Sequence, residues 1–380
     1  MRIGKKYISL FLGVGVALSA ALGSGISQAG FIQGTRIKSE HPSPFYIALS
    51  PDGKTMFTAN QSGHSVTIID TKSQKILGEV AVGDQPEALV VTLDGKTLYV
   101  CNAESDSVSV IDIAAQKVTS EIKVGDWPCS VKLSKDGKIA YVCCSGNMWN
   151  AIDMIDTTTN KKVGSIPTTD YGPRDISISP DGKSAIVILD TAGKANRSVD
   201  FIDLTTNTVV ENRIIGESAN LRGVTHTPCG CYAIVTYETP KIWLPVCEAE
   251  NGQIFTNNIA VIETKKGGKV ARLPIDELND YDGNPYGITV DPQGKYVYIA
   301  IRAMHRITIL DLAKLVNVVS SNTQEELDFI RDDFETTTEY LVQRVNVGLC
   351  PSSVVTSADG KFCYAANYFS NSISVISAPN

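Results

Sequence analysis

The chain repeats itself, and that limits its fold more than anything else in it. Seven stretches align on a glycine turn: PFYIALSPDGKTMFTAN from Pro44, PEALVVTLDGKTLYVCN from Pro86, PCSVKLSKDGKIAYVCC from Pro128, PRDISISPDGKSAIVIL from Pro173, LRGVTHTPCGCYAIVTY from Leu221, PYGITVDPQGKYVYIAI from Pro285 and PSSVVTSADGKFCYAAN from Pro351. The turn glycines fall at 53, 95, 137, 182, 230, 294 and 360, always nine residues after the leading position. Most copies add a third alternating run ending in Ile-Asp or Leu-Asp, as in Val66–Asp70 and Ile307–Asp311, and then a fourth, as in Lys75–Gly83. Period-two alternation broken by tight turns makes antiparallel strands. Four such strands in a unit of about 42 residues make one propeller blade. The expected fold is therefore all-β, a seven-bladed propeller spanning 30–380.

The seventh copy ends after three strands. An open ring would leave an unpaired edge, so Gly34–His41, which precedes the first copy as a fourth strand precedes the others, is expected to close it. Upstream, Arg2, Lys5 and Lys6 precede an uncharged apolar run, Ile8–Gly23, and Ser27-Gln28-Ala29 offers small residues at a cleavage site. Residues 1–29 read as a signal peptide, which implies an exported chain in a periplasm-like compartment with no stable membrane span after cleavage. A formal charge of −7, from 34 Lys+Arg against 41 Asp+Glu, argues against nucleic acid, whose binding needs clustered basic charge.

Successive leading positions lie 42, 42, 45, 48, 64 and 66 residues apart, so copies five and six carry insertions, at about 239–257 and 312–341. Within a blade the first-to-second and third-to-fourth turns share one face, here the turn face. Second-to-third loops and blade-to-blade connections share the other, the connection face. The insertion in copy five falls on the connection face. Pro240 and Pro245 stiffen it, Ile242 and Trp243 offer an apolar anchor, and Glu248, Glu250, Asn251 and Gln253 bring oxygen ligands, with Phe255 at its far end. Its glutamates either serve chemistry, by holding water or a cation or accepting a proton, or only solvate an exposed tip. Trp127 and Trp149 map to the same face and are read with Trp243 as partner-binding residues, because Trp dominates interface hot spots.

The insertion in copy six falls on the turn face. Leu312, Leu315, Val316 and Val319 recur at helical spacing, Thr323 and Glu326 form a capping-box pattern, and Leu327, Ile330 and Phe334 continue one side. Two short helices are expected, the second acidic and resting over the lysines that follow the turn glycines. Nine cysteines are present. Cys101, Cys143 and Cys363 sit in apolar runs and read as small buried hydrophobes, whereas Cys229-Gly-Cys231 reads weakly as a redox or metal pair. No Cys-x-x-Cys-His occurs, so no c-type haem is attached by that motif. Asp276–Asn284 is oxygen-rich, but Leu278 and Thr289 would fill the first and last ligand positions of a calcium loop, so no metal is expected there.

These repeats, with LYVCN, YVCC and YAAN in the second strand, resemble the YVTN family of seven-bladed propellers across the whole chain after its leader. An exported, haem-free ring of this size with a long connection-face loop and an acidic helical insertion is similar, more narrowly, to the β subunits of the hydrazine synthase family from anaerobic ammonium-oxidising bacteria. That resemblance implies a scaffold subunit of a multihaem oxidoreductase making hydrazine from nitric oxide and ammonium. It also implies no cofactor in this chain, c-type haem in multihaem cytochrome partner subunits, and an anammoxosome location. By position, Lys241–Asn257 matches the loop which that family lends to a partner's active haem, with Glu248 and Glu250 as its candidate catalytic residues. Two other classes compete: a free-standing binding or cell-surface propeller, and a self-contained lactonase-like or dehydrogenase-like propeller enzyme.

Overall fold

The structure is a computed structural model that describes residues 36–38, 43–146, 148–191, 196–240 and 255–379. Seven four-stranded antiparallel sheets follow one another along the chain. Blade 1 is typical, with strands Pro44–Leu49, Thr55–Asn60, Ser65–Asp70 and Ile76–Ala81 running from the axis outward. The leader, residues 1–29, lies outside the described residues.

Each turn is built by the repeat motif itself. In blade 1, Ser50 Oγ donates to Asp52 Oδ1 at 2.6 Å and the Lys54 amide donates to the same oxygen at 3.1 Å. Gly53 between them sits at φ 69°, a left-handed conformation that glycine adopts without a Cβ penalty. The asparagine that ends the second strand has a task of its own. Asn60 Nδ2 donates to Ser65 Oγ at 3.1 Å and Thr67 Oγ1 at 2.7 Å, closing the next hairpin from inside. Asn102 and Asn367 do the same in blades 2 and 7.

The core lies between adjacent blades. Phe57, Ala59 and Val66 of blade 1 pack on Leu89, Leu98 and Val100 of blade 2, and equivalent layers recur around the ring. Near the axis two glycines set the spacing. A Cβ on Gly223 would meet the Tyr286 carbonyl oxygen at 2.7 Å, and one on Gly287 would meet that of Ser352 at 2.8 Å. The ring closes as expected: Arg36, Ile37 and Lys38 pair with Ser374, Ile373 and Ser372 as the outer strand of blade 7.

The copy-six insertion departs from its expectation in two respects. It forms three helices: α1 (Leu312–Ser321), α2 (Gln324–Ile330) and a single turn, α3 (Thr337–Tyr340). The Thr323–Glu326 capping box is present. No apolar period marks α3. It is held by tertiary bonds, with Tyr340 Oη donating to the Pro274 carbonyl at 2.6 Å and Thr337 Oγ1 to the Asp276 carbonyl at 2.7 Å. Nor does the acidic helix rest over the turn lysines. Asp328 takes Arg272 at 2.7 Å, Gln324 bonds the backbone of Val270, and Lys269 reaches the Asn322 carbonyl, so α2 lies on the outer strand of blade 5 (Val270–Pro274). Three turn lysines, Lys54, Lys138 and Lys361, instead lie 3.5 to 3.8 Å from the aspartates of their own turns.

Candidate functional site

The connection face owes its shape to the copy-five insertion. Second and third strands elsewhere have six residues, apart from the eight-residue third strand of blade 4 (Asn196–Asp203), but here Tyr232–Pro240 pairs with Phe255–Glu263, nine residues each. The three extra pairs carry the ribbon about 10 Å beyond the blade, at about 3.3 Å per residue. Its base is fixed on both sides. Ala219 and Glu238 exchange backbone bonds, while Asp276 accepts from the Asn257 amide at 2.9 Å and the Asp282 amide at 2.8 Å. Burial pushes the Asp276 carboxyl up to about 7, against those hydrogen bonds.

Next to it, the oxygen-rich loop Asp276–Asn284 is an ion-pair knot. Asp282 takes Arg306 at 2.6 Å and Thr308 at 2.8 Å, Asp280 takes Arg306 at 2.7 Å, and Arg344 bridges Glu277 and Asp280. Two guanidinium groups thus neutralise the carboxylates that a cation would need. Among the described residues no group of three or more His, Cys, Asp or Glu is placed to hold a metal ion.

The axis carries the polar chemistry. The second residue of each repeat, Phe45, Glu87, Cys129, Arg174, Arg222, Tyr286 and Ser352, lines the connection-face end of the channel around a cavity of about 80 Å³. Arg174 donates to Tyr286 Oη at 3.1 Å and stands 3.6 Å from Glu87. Burial nevertheless raises the Glu87 carboxyl above its ordinary range. Arg302 stacks over Tyr286 at 4.6 Å and donates to Cys350 Sγ at 3.1 Å. Toward the turn face the channel widens to about 440 Å³, lined by residues such as Ile47, Leu89, Val131 and Val354, with Lys132. Neither part is lined by a histidine. Sequence reasoning passed over this ring because each copy was read along its length. Reading the second position down all seven copies gives F, E, C, R, R, Y, S, a mixed column two places before the uniformly apolar fourth one, I, L, V, I, V, I, V.

Residues 52–272 match the family described as the cytochrome D1 heme domain. Hydrazine synthase subunit beta of Kuenenia stuttgartiensis is 67% identical over 368 residues, covering 97% of this chain and 94% of that protein. The chain belongs to the hydrazine synthase β-subunit family. A solved structure of Kuenenia stuttgartiensis hydrazine synthase superposes with a TM-score of 0.88 at 64% identity, covering 92% of this chain and 99% of that one.

In this member of the hydrazine synthase β-subunit family the sequence-predicted site residues divide sharply. Ile242, Trp243, Glu248, Glu250, Asn251 and Gln253 lie outside the described residues. Phe255 opens the returning strand, pairs with Pro240 and is exposed. Trp127 and Trp149 are half-buried in the ring's own packing. Trp149 covers Gly125, where a Cβ would meet its ring at 2.3 Å, and Lys162 lies 5.7 Å over that ring. The face instead offers Met148, Tyr171, Met304, Leu349 and Phe369 as large exposed apolar side chains. Of the cysteines, Cys101, Cys143 and Cys363 are buried as expected, while Cys229 and Cys231 are exposed.

Proposed function

We propose that the chain is the haem-free propeller subunit of a hydrazine synthase complex. In this reading it holds multihaem cytochrome subunits against its connection face and lends the 239–257 loop to a partner's active haem, where nitric oxide and ammonium yield hydrazine. The observation that carries it is 67% identity across 97% of the chain to a protein that is itself named a subunit of that enzyme. The paired ribbon supports the loop's part. Its described base, anchored on Asp276 and Glu238, stands out from the connection face, where a lent loop would start. Exposed apolar groups on the same face suit a protein contact.

The family matched over residues 52–272 is named for haem, and the axial channel does not fit that group. A tetrapyrrole needs several hundred Å³; the polar end provides about 80 Å³, and the wider end has no His, Cys or Met, while the oxygen of its one tyrosine, Tyr46, is taken by Lys132 at 2.7 Å. In this reading haem chemistry belongs to the partners. Ammonium must lose a proton before it attacks as ammonia, and a carboxylate from Glu248 or Glu250 beside the substrate path would accept it. The leader supports export, with residues 1–29 removed.

The test replaces Glu248 and Glu250 together by Gln in the intact complex. Turnover is expected to fall about 10²-fold or more, the range for a lost general base, with assembly unchanged, while Trp243→Ala loosens assembly. Undiminished turnover in the double variant would remove the loop's chemical role and leave a scaffold.

A further inference from the structure

In the fifth copy the repeat's turn chemistry is rewritten with two thiols. In the second copy Thr92 Oγ1 donates to Asp94 Oδ1 at 2.6 Å, the Lys96 amide donates to the same oxygen at 3.1 Å, and Gly95 sits between them at φ 70°. Thr227, Cys229, Gly230 and Cys231 occupy the same four places, with Gly230 at φ 72°. Thr227 Oγ1 lies 3.3 Å from Cys229 Sγ, and the Cys231 amide donates to that sulfur at 3.3 Å. The cradle that holds a carboxylate in five sister turns here holds sulfur, and donors that stabilise a carboxylate also stabilise a thiolate.

Three further facts make this a pair. In three sister turns the lysine Nζ lies 3.5 to 3.8 Å from the aspartate carboxylate, so side chains at these two positions meet on the outside of the turn. Both thiols are exposed, whereas the six other described cysteines are buried. The two sulfurs are also unequal. Partial burial pushes the Cys229 thiol up, but hydrogen bonds from Thr227, the Cys231 thiol and the Cys231 amide outweigh it and leave Cys229 below its ordinary value. Cys231 is raised, first by its bond to the Cys229 sulfur.

We propose that Cys229-Gly-Cys231 is a thiol–disulfide exchange site on the turn face, with Cys229 as the attacking sulfur and Cys231 as the resolving one, taking disulfides as its substrate class. Cys229 thiolate attacks one sulfur of a substrate disulfide, R–S–S–R, forming a mixed disulfide and releasing RS⁻, which takes up a proton. Cys231 loses its proton and attacks the Cys229 sulfur, releasing the second RS⁻. The products are two thiols and the Cys229–Cys231 disulfide, and two electrons have passed from the turn to the substrate.

Oxidised glutathione is the probe, applied to the full chain, with peptide mapping as the readout. Tryptic cleavage after Arg222 and Lys241 gives one peptide holding both thiols and no other cysteine. The expected product is that peptide less two hydrogens, restored by dithiothreitol. In Cys231→Ser the glutathione adduct should instead accumulate on Cys229, and at neutral pH Cys229 should alkylate about tenfold faster than Cys231. The pair Cys229→Asp with Cys231→Lys rebuilds the turn of the sister blades, so it keeps the fold and should lose the reaction entirely. Thiols that stay free in excess oxidised glutathione, adducts on both cysteines without the internal disulfide, or faster capture of Cys231 would each overturn the assignment.

Discussion

Two buried titratable side chains pull the stability of the ring in opposite directions below neutral pH. Burial pushes the Asp276 carboxyl up to about 7. Its folded pKa exceeds the unfolded one, so the stability it contributes is complete below about pH 4 and is lost as pH rises through 7. His226 lies against Ser177, with Nδ1 and Oγ 2.8 Å apart, and burial lowers it to about 4. Its contribution is complete above the unfolded value of about 6.5 and is lost as pH falls toward 4. Asp276→Asn should therefore remove a decline in melting temperature between pH 4 and 7, and His226→Gln should remove a rise over the same interval. Equal pH profiles for wild type and either variant would show that the corresponding group does not titrate in this window. At the axis, Arg174→Met should destabilise by up to about 3–5 kcal/mol, because it takes the paired guanidinium from the buried Glu87 and leaves only Arg222 across the cavity; denaturant unfolding measures it.

Single elements carry the next predictions. The closing strand pairs Arg36–Lys38 with Ser372–Ser374, and removing residues 30–41 should bare that edge, lower the melting temperature and cause aggregation. A truncated protein as soluble and heat-resistant as one with the strand would contradict this. Gly287→Ala puts a methyl 2.8 Å from the Ser352 carbonyl oxygen and 2.9 Å from Ser353 Cα. Backbone on both sides cannot swing away, and a cost of about 1–3 kcal/mol is expected. These elements also show how far the sequence could be read. Alternation around the glycine turns announced every blade, and the missing fourth strand of copy seven announced the closure. The third helix was hidden because Thr337 and Tyr340 are helical through bonds to Pro274 and Asp276, residues some sixty positions away. The resting place of α2 was hidden for the same reason, since Arg272 belongs to another blade. The thiol turn was visible as a motif, but its meaning came only when its hydrogen bonds were laid over those of its sisters.

At the scale of the whole molecule the two faces have different characters. The turn face carries short charged hairpins, most of them aspartate-glycine-lysine, together with the copy-six helices and exposed apolar groups of its own, Leu93 and Phe329. The connection face carries a raised ribbon on a fixed base, a knot of ion pairs beside it, and apolar side chains such as Met148 and Phe369, 78% and 66% exposed. The candidate site was legible in outline, because the insertion's position in the repeat assigned it to this face, while the buried ring of Glu87, Arg174 and Tyr286 emerges only when seven blades converge. Native mass spectrometry of the particle isolated through a tag on this chain tests the account most directly. It should show this chain without haem, bound to subunits whose masses include covalent c-type haem. A lone ring, or haem carried by this chain itself, would contradict it.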